Sequence, residues 1–356
     1  MNLPADSIRG KGLKRIGAYP AGGAYFVPQG GWIAGNARAA EGSRNYKLWI
    51  PATLESGPAW PLLMLLHGCG HDAEHMAEIS GMNDVAEANR FLAVYPEQSR
   101  RANLLRCWNW FRPEHQGRGA GEPSILAAVV GQIRSTYNVD PDRIYVAGVS
   151  AGGAMAAILA ATYPDLFAAL AVFAGAEFKA ASSAFEGFAV MKRGGPDPAR
   201  QGQLAFEVMR SGLAQTKRRR MPVIVFHGMA DDRVTPVNAD QIIAQWGKTN
   251  ACLAVENAET GFSLTEKVIG SEVPGGYAYQ RHLYVEDDSR LLMEKWLVQG
   301  LGHAWSGSPK SSKYGDPKGP NASAEIWRFF CEADSNSTAS SSPADPLHKQ
   351  SSETAQ

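Results

Sequence analysis

Apolar residues in this chain fall into short, dense runs that alternate with longer stretches of helical periodicity. Residues 46–50, 62–66, 91–95, 144–147, 170–173, 223–226 and 282–285 read as buried strands, and 73–89, 122–137, 151–163 and 237–249 as helices between them. Strands that are apolar on both faces and separated by helices predict an α/β fold: a single domain with a mostly parallel central sheet and helices on both faces. Residues 178–219 break the rhythm and are expected to form either a lid over the sheet or a plain helix-loop-helix crossover. The glycine-rich, aperiodic segment 1–44 reads as an N-terminal extension, 45–334 as the folded domain and the serine-rich 335–356 as a disordered tail. Such a tail has too few apolar side chains to order itself.

Composition narrows the partners. With 44% hydrophobic and 20% charged residues the chain is of ordinary globular make-up, and it contains no run of about 18 apolar residues that would mark a membrane span. Lys and Arg number 35 and Asp and Glu 35, so no net field exists to hold a nucleic acid. The basic cluster Lys217 to Arg220 precedes an apolar run and reads as a solvated helix end. A balanced surface suits a neutral or insoluble substrate. The first residues are basic but lack a following apolar stretch, so no signal peptide is expected, which leaves a cytoplasmic location open.

The strongest chemical signal is Gly148-Val149-Ser150-Ala151-Gly152, set between an apolar strand and an alanine-rich helix. That context puts Ser150 on a sharp strand-to-helix turn that exposes its hydroxyl. A serine needs a base to take its proton and an acid to orient the base, and in such folds the acid and then the base follow in sequence. Asp231 lies in the loop after the strand 223–226, with Asp232 as its rival, and one of the two carboxylates is expected merely to cap the loop. His303, bracketed by glycines, is the candidate base, whereas His282 alternates within a strand. Attack on a carbonyl also needs two donors for the oxyanion; the Ala151 amide supplies one and the Cys69 amide, in the loop after the strand 62–66, the other. His67, His71 and His75 share a spacing of four, but His67 ends a strand and His71 follows a glycine, so no metal site is assigned.

Four cysteines, Cys69, Cys107, Cys252 and Cys331, allow three sets of two pairings, among which spacing does not choose; four reduced thiols are equally allowed. If Cys69 pairs with Cys107, then Trp108, Trp110 and Phe111 come to the mouth of the site as an apolar wall, although three aromatics so close together also suit ordinary core filling.

Five motifs, His67-Gly68-Cys69, Cys107-Trp108-Asn109-Trp110-Phe111, Gly148 to Met155, His227 to Asp231 and Gly302 to Gly307, resemble in their order the polyhydroxybutyrate (PHB) depolymerase-like esterases. The resemblance spans about residues 45 to 330. It implies a single α/β-hydrolase catalytic domain and a serine ester hydrolase acting through an acyl-enzyme on polyhydroxyalkanoate polymer or oligomers. Feruloyl or acetyl-xylan esters are the alternative, and an inactive hydrolase-like polymer-binding module is the non-enzymatic one. It further implies Ser150, Asp231 and His303 as triad, Cys69 and Ala151 as oxyanion hole, and a Cys69–Cys107 disulfide. Trp108, Trp110, Phe111 and Trp305 are the expected substrate contacts. No cofactor, metal, nucleic acid or membrane partner is expected, and the disulfide favours a secreted or periplasmic protein.

Overall fold

The computed structural model describes residues 14–15, 30–53, 58–211, 219–259, 261–287 and 290–339. Eleven strands form one sheet: β1 (Lys14–Arg15), β2 (Gly31–Ala39), β3 (Gly42–Ile50), β4 (Trp60–Leu66), β5 (Leu92–Pro96), β6 (Val139–Val149), β7 (Ala169–Phe173), β8 (Val223–Gly228), β9 (Leu264–Glu272), β10 (Ala278–Glu286) and β11 (Leu291–Val298). Their order is β1-β2-β3-β5-β4-β6-β7-β8-β11-β10-β9. From β5 to β11 every neighbouring pair is parallel, while β3 against β5 and β10 against β11 are antiparallel. Strands β4, β5 and β7 are wholly apolar because both faces are covered. Along β4 the alternation is visible: Leu62, Met64 and Leu66 enter one core layer, Leu63 and Leu65 the other.

The first layer packs beneath α3 (Gly121–Thr136), α4 (Ala151–Thr162), α6 (Pro198–Ser211) and α7 (Val237–Glu256). The second is closed by α1 (Ala73–Ser80), α2 (Met82–Asn89) and α8 (Ala322–Ala339). Between β7 and β8 the described residues form α5 (Ala184–Arg193) and α6, the helix pair of the second alternative for residues 178–219, a helix-loop-helix crossover. A short parallel pair, β12 (Trp305–Ser306) and β13 (Gly315–Asp316), stands apart from the main sheet. Among the described residues no helix is long and apolar enough to cross a membrane.

Several expectations need correction. The boundary drawn at residue 45 falls inside the β2–β3 hairpin, whose register pairs Asn36 with Asn45. Strand β2 escapes detection because its glycines and alanines give no strand periodicity, yet Gly35 is required: a Cβ there would stand 2.2 Å from the Tyr46 ring lying across it. The helix expected over 73–89 is two helices, broken where Gly81 turns to a φ of 62° and its N–H closes α1 on the Ala77 carbonyl. Ordered structure also runs past 335, since α8 continues to Ala339. Its first turns bury Ile326, Trp327, Phe329 and Phe330, with Trp327 stacked on Phe91 and Phe330 on Tyr145, and that anchorage carries the serine-rich turns. The tail from 340 onward, residues 1–13 and 16–29 of the extension, and Lys217 and Arg218 lie outside the described residues. Arg220 is no solvated helix end: it pairs with Glu259 and Glu286 at 2.7 and 2.9 Å.

Candidate active site

The parallel strands β4, β6, β7, β8 and β11 end in register, Leu66 beside Gly148, Val149 beside Phe173, Phe173 beside Phe226 and Gly228 beside Val298. The loops that follow them therefore emerge at one edge of the sheet, where such folds bind their ligands. Those loops carry Cys69, Ser150, Asp231 and His303.

Ser150 joins β6 to α4 with φ 57° and ψ −122°, a backbone state rarely adopted by a residue with a side chain. Its N–H donates to the Phe173 carbonyl at 2.9 Å, and its carbonyl accepts the Ala154 N–H at 3.1 Å. Small neighbours make the turn possible. A Cβ on Gly148 would lie 2.3 Å from the Gly152 carbonyl oxygen, and one on Gly152 would lie 2.4 Å from that of Leu66. The first amides of α4, beginning with Ala151, have no partner within the helix and give its N-terminus partial positive charge.

Asp231 and His303 meet directly. His303 Nδ1 donates to Asp231 Oδ2 at 2.7 Å, while Oδ1 accepts the N–H groups of Arg233 and Val234 at 2.9 Å each. Because an ionised carboxylate only accepts, His303 carries a proton on Nδ1, and the neutral ring then has its lone pair on Nε2. Burial pushes the Asp231 carboxyl up, but the hydrogen bond and charge of His303 and the Val234 amide outweigh it. The group titrates below the usual carboxylate range. The two loops are tied together, since the Ala230 N–H donates to the Leu301 carbonyl at 2.9 Å. Asp231 thus does both jobs expected of two carboxylates, capping its own loop and holding the histidine, while Asp232 is exposed. Buried His227 stays neutral, donating to the Val234 carbonyl at 2.8 Å.

Beside Ser150 lies a cavity of about 220 Å³, lined chiefly by apolar groups. Cys69, Ala151, Trp110 and Phe111 are on its wall, and Val234 brings the loop of Asp231 to the same space. A disulfide joins Cys69 to Cys107, and Cys252 and Cys331 are free. Two expected substrate contacts are core residues instead. Trp108 is fully buried, its Nε1–H donating to the His67 carbonyl at 3.1 Å. Trp305 is buried too, stacked on Phe173 with its Nε1–H on Ser323 Oγ. Both indoles face inward because each finds a buried acceptor there.

Other wall residues come from places the sequence left unmarked. Leu105 precedes the disulfide, and Phe188 and Met191 stand on α5. Leu105 and Phe188 expose 71 and 66% of their surface at the cavity, and their chain neighbours Leu104 and Phe185 expose 83 and 84%, so the apolar rim continues along both segments. Large exposed apolar residues at neighbouring turns of one short helix were the available signal. Behind the opposite wall, buried Glu122 accepts the Asn109 amide at 2.8 Å and the Asn109 side chain at 2.7 Å, with Arg44 at 3.1 Å; Gln98 also donates to it.

Residues 44–268 match the sequence model of a family described as esterase PHB depolymerase. The chain is 32% identical over 244 residues to poly(3-hydroxyalkanoate) depolymerase C of Paucimonas lemoignei, covering 68% of this chain and 54% of that protein. It therefore spans about half the length of that relative. It is 27% identical over 259 residues to feruloyl esterase B of Thermothelomyces thermophilus, covering 72% of this chain and 82% of that protein. An acetyl xylan esterase from Aspergillus awamori superposes with a TM-score of 0.60 at 20% identity, covering 81% of this chain and 94% of that one.

Proposed function

The chain belongs to the esterase PHB depolymerase family and has the α/β-hydrolase fold, and from that premise we propose that it is a serine carboxylic-ester hydrolase acting on polyhydroxyalkanoate chains or their oligomers. The observation that carries the proposal is the hydrogen-bonded Asp231–His303 pair, on the edge of the sheet where Ser150 occupies its strained turn. In this reading His303 Nε2 takes the Ser150 proton as the oxygen attacks the ester carbonyl. Asp231 holds the ring and stabilises the imidazolium that forms. The amides of Cys69 and Ala151 receive the oxyanion. Collapse expels the alcohol, which takes the proton from His303 and leaves an acyl-enzyme. Water, deprotonated by the same imidazole, then releases the acid and restores Ser150.

The exposed apolar rim supports a neutral, water-insoluble chain as substrate, since apolar groups left in water gain by being covered. A second reading has its own support: Trp110 and Phe111, edge to face with centroids 5.8 Å apart, line the cavity and suit an aryl ester. Acids released from a PHB film and from methyl ferulate, measured side by side, separate the two; faster release from the film is expected. A serine-directed phosphonate is expected to label Ser150 stoichiometrically, and an active preparation left unlabelled overturns the mechanism. Binding of polymer without any hydrolysis would instead indicate an inactive binding module. The disulfide supports a secreted or periplasmic location.

A further inference from the structure

The oxyanion donor proposed at Cys69 belongs to the Gly68–Cys69 peptide, and that peptide can face either way. A peptide flip turns its C=O and N–H through a large angle while the flanking Cα atoms scarcely move, by opposite changes in ψ of Gly68 and φ of Cys69. The Cys69–Cys107 bond anchors the Cys69 side chain without setting the tilt of the preceding peptide plane. In the flipped state a carbonyl oxygen would point where an oxyanion needs a donor. Something behind the loop must choose between them.

His67 is placed to do so. Its Nε2 lies 3.0 Å from the Gln98 backbone N–H, which can only donate, so Nε2 is unprotonated and the ring proton is on Nδ1. Nδ1 is 2.7 Å from the Gly68 carbonyl oxygen, to which it therefore donates. The His71 N–H reaches the same oxygen at 3.4 Å. Burial of the whole ring pushes its pKa down to about 4, so this neutral tautomer persists through the neutral range. In a trans peptide the C=O and N–H point in opposite directions; holding the Gly68 carbonyl inward turns the Cys69 N–H outward. Ser150 is close to this peptide: a Cβ on Gly68 would stand 3.5 Å from Ser150 Cβ, and Cys69 and Ser150 line one cavity. Among the described residues the Cys69 N–H meets no protein acceptor.

We propose that His67 is a positioning residue, whose Nδ1–H locks the Gly68–Cys69 peptide so that the Cys69 amide faces the oxyanion formed at Ser150. The inference rests on the ester-hydrolase reading above. Two isosteric variants divide the contacts of the ring. His67→Gln can keep an acceptor near the Gln98 amide but loses the donor to Gly68, whereas His67→Asn keeps a donor near the Nδ1 position and loses the acceptor. With a p-nitrophenyl butyrate assay normalised to phosphonate-titrated sites, His67→Gln is expected to lose kcat on the order of a hundredfold at nearly constant KM, the effect of removing one oxyanion donor. His67→Asn is expected to recover most of that loss. Equal kcat per site in both variants, whether high or low, overturns the proposal, because a merely structural role does not distinguish them. Should a variant not fold, nitrogen-15 histidine spectra of the wild type still decide. One buried ring protonated at Nδ1 and bare at Nε2 is expected for His67, and the opposite tautomer refutes the lock. If the wild type itself is neither labelled by phosphonate nor active, the hydrolase reading has failed rather than this one.

Discussion

The cavity beside Ser150 has two walls built by opposite means. One, formed by residues 67–71 and 103–111, is fastened by a disulfide, by Glu122 beneath Asn109, and by indole and imidazole hydrogen bonds to its carbonyls. The other is α5, a short helix capped by Ser183 that turns Phe185 and Phe188 to solvent. Buried hydrogen bonds are directional and costly to break, so those that fasten the first wall favour one arrangement of it. Exposed apolar groups make no such demand, so the second can meet surfaces of varied shape. On the proposed ester-hydrolase reading the contrast teaches a division of labour: the locked wall serves the reacting carbonyl, and the open wall the part of the substrate away from it.

The largest effect is expected where the chemistry joins both walls. His303→Ala should lower kcat by at least roughly a thousandfold while leaving the denaturation midpoint close to wild type, measured on a short soluble ester. Next come the fastenings of the locked wall. Removing the disulfide by Cys69→Ala with Cys107→Ala, a link across 38 residues, should cost about 4 kcal/mol of unfolding free energy in denaturant titrations. Glu122→Gln, which leaves Arg44 without its buried partner, should cost about 3 kcal/mol in the same measurement. A much smaller loss for both would mean that this wall is not held as described.

Acid sharpens the comparison further. The folded-state pKa of His67 is depressed to about 4 from the ordinary 6.5, so between those values the unfolded chain binds more protons and stability falls as pH falls. Going from pH 7 to 4.5, this one ring should remove about 2 kcal/mol of stability. The His67→Asn variant should be less sensitive over the same range by that amount. The smallest change is expected on the open wall. Phe185→Ser should slow film hydrolysis by about tenfold, the equivalent of leaving roughly half a phenylalanine side chain uncovered, and should affect a short soluble ester much less. Equal losses on both substrates would deny α5 its separate role.

The site was legible to the extent that its parts are local in sequence. Gly148 to Gly152 declares a turn because only small residues pass there, and Asp231 and His303 stand out as acid and base in glycine-marked loops following Ser150 in order. Strand β11, which carries His303 to the site, was not legible: its Glu294 and Lys295 look like surface residues. Folded, Glu294 is buried among Arg281, Arg328 and the Trp296 N–H, and Lys295 is paired with Asp240. Trp108 and Trp305 were misplaced for the converse reason, since an indole's side of a loop depends on where its N–H finds an acceptor.

What the sequence by itself determined is the alternation of buried strands and helices, the turn at Ser150 and the order in which Ser150, Asp231 and His303 follow one another, because periodicity and glycine placement act over a few residues. Only the tertiary structure decided which aromatics face the cavity, how α5 rims it, and that His67 stands behind the Gly68–Cys69 peptide. Those outcomes depend on partners far apart along the chain, and a buried polar group or indole takes its orientation from the one partner that satisfies it.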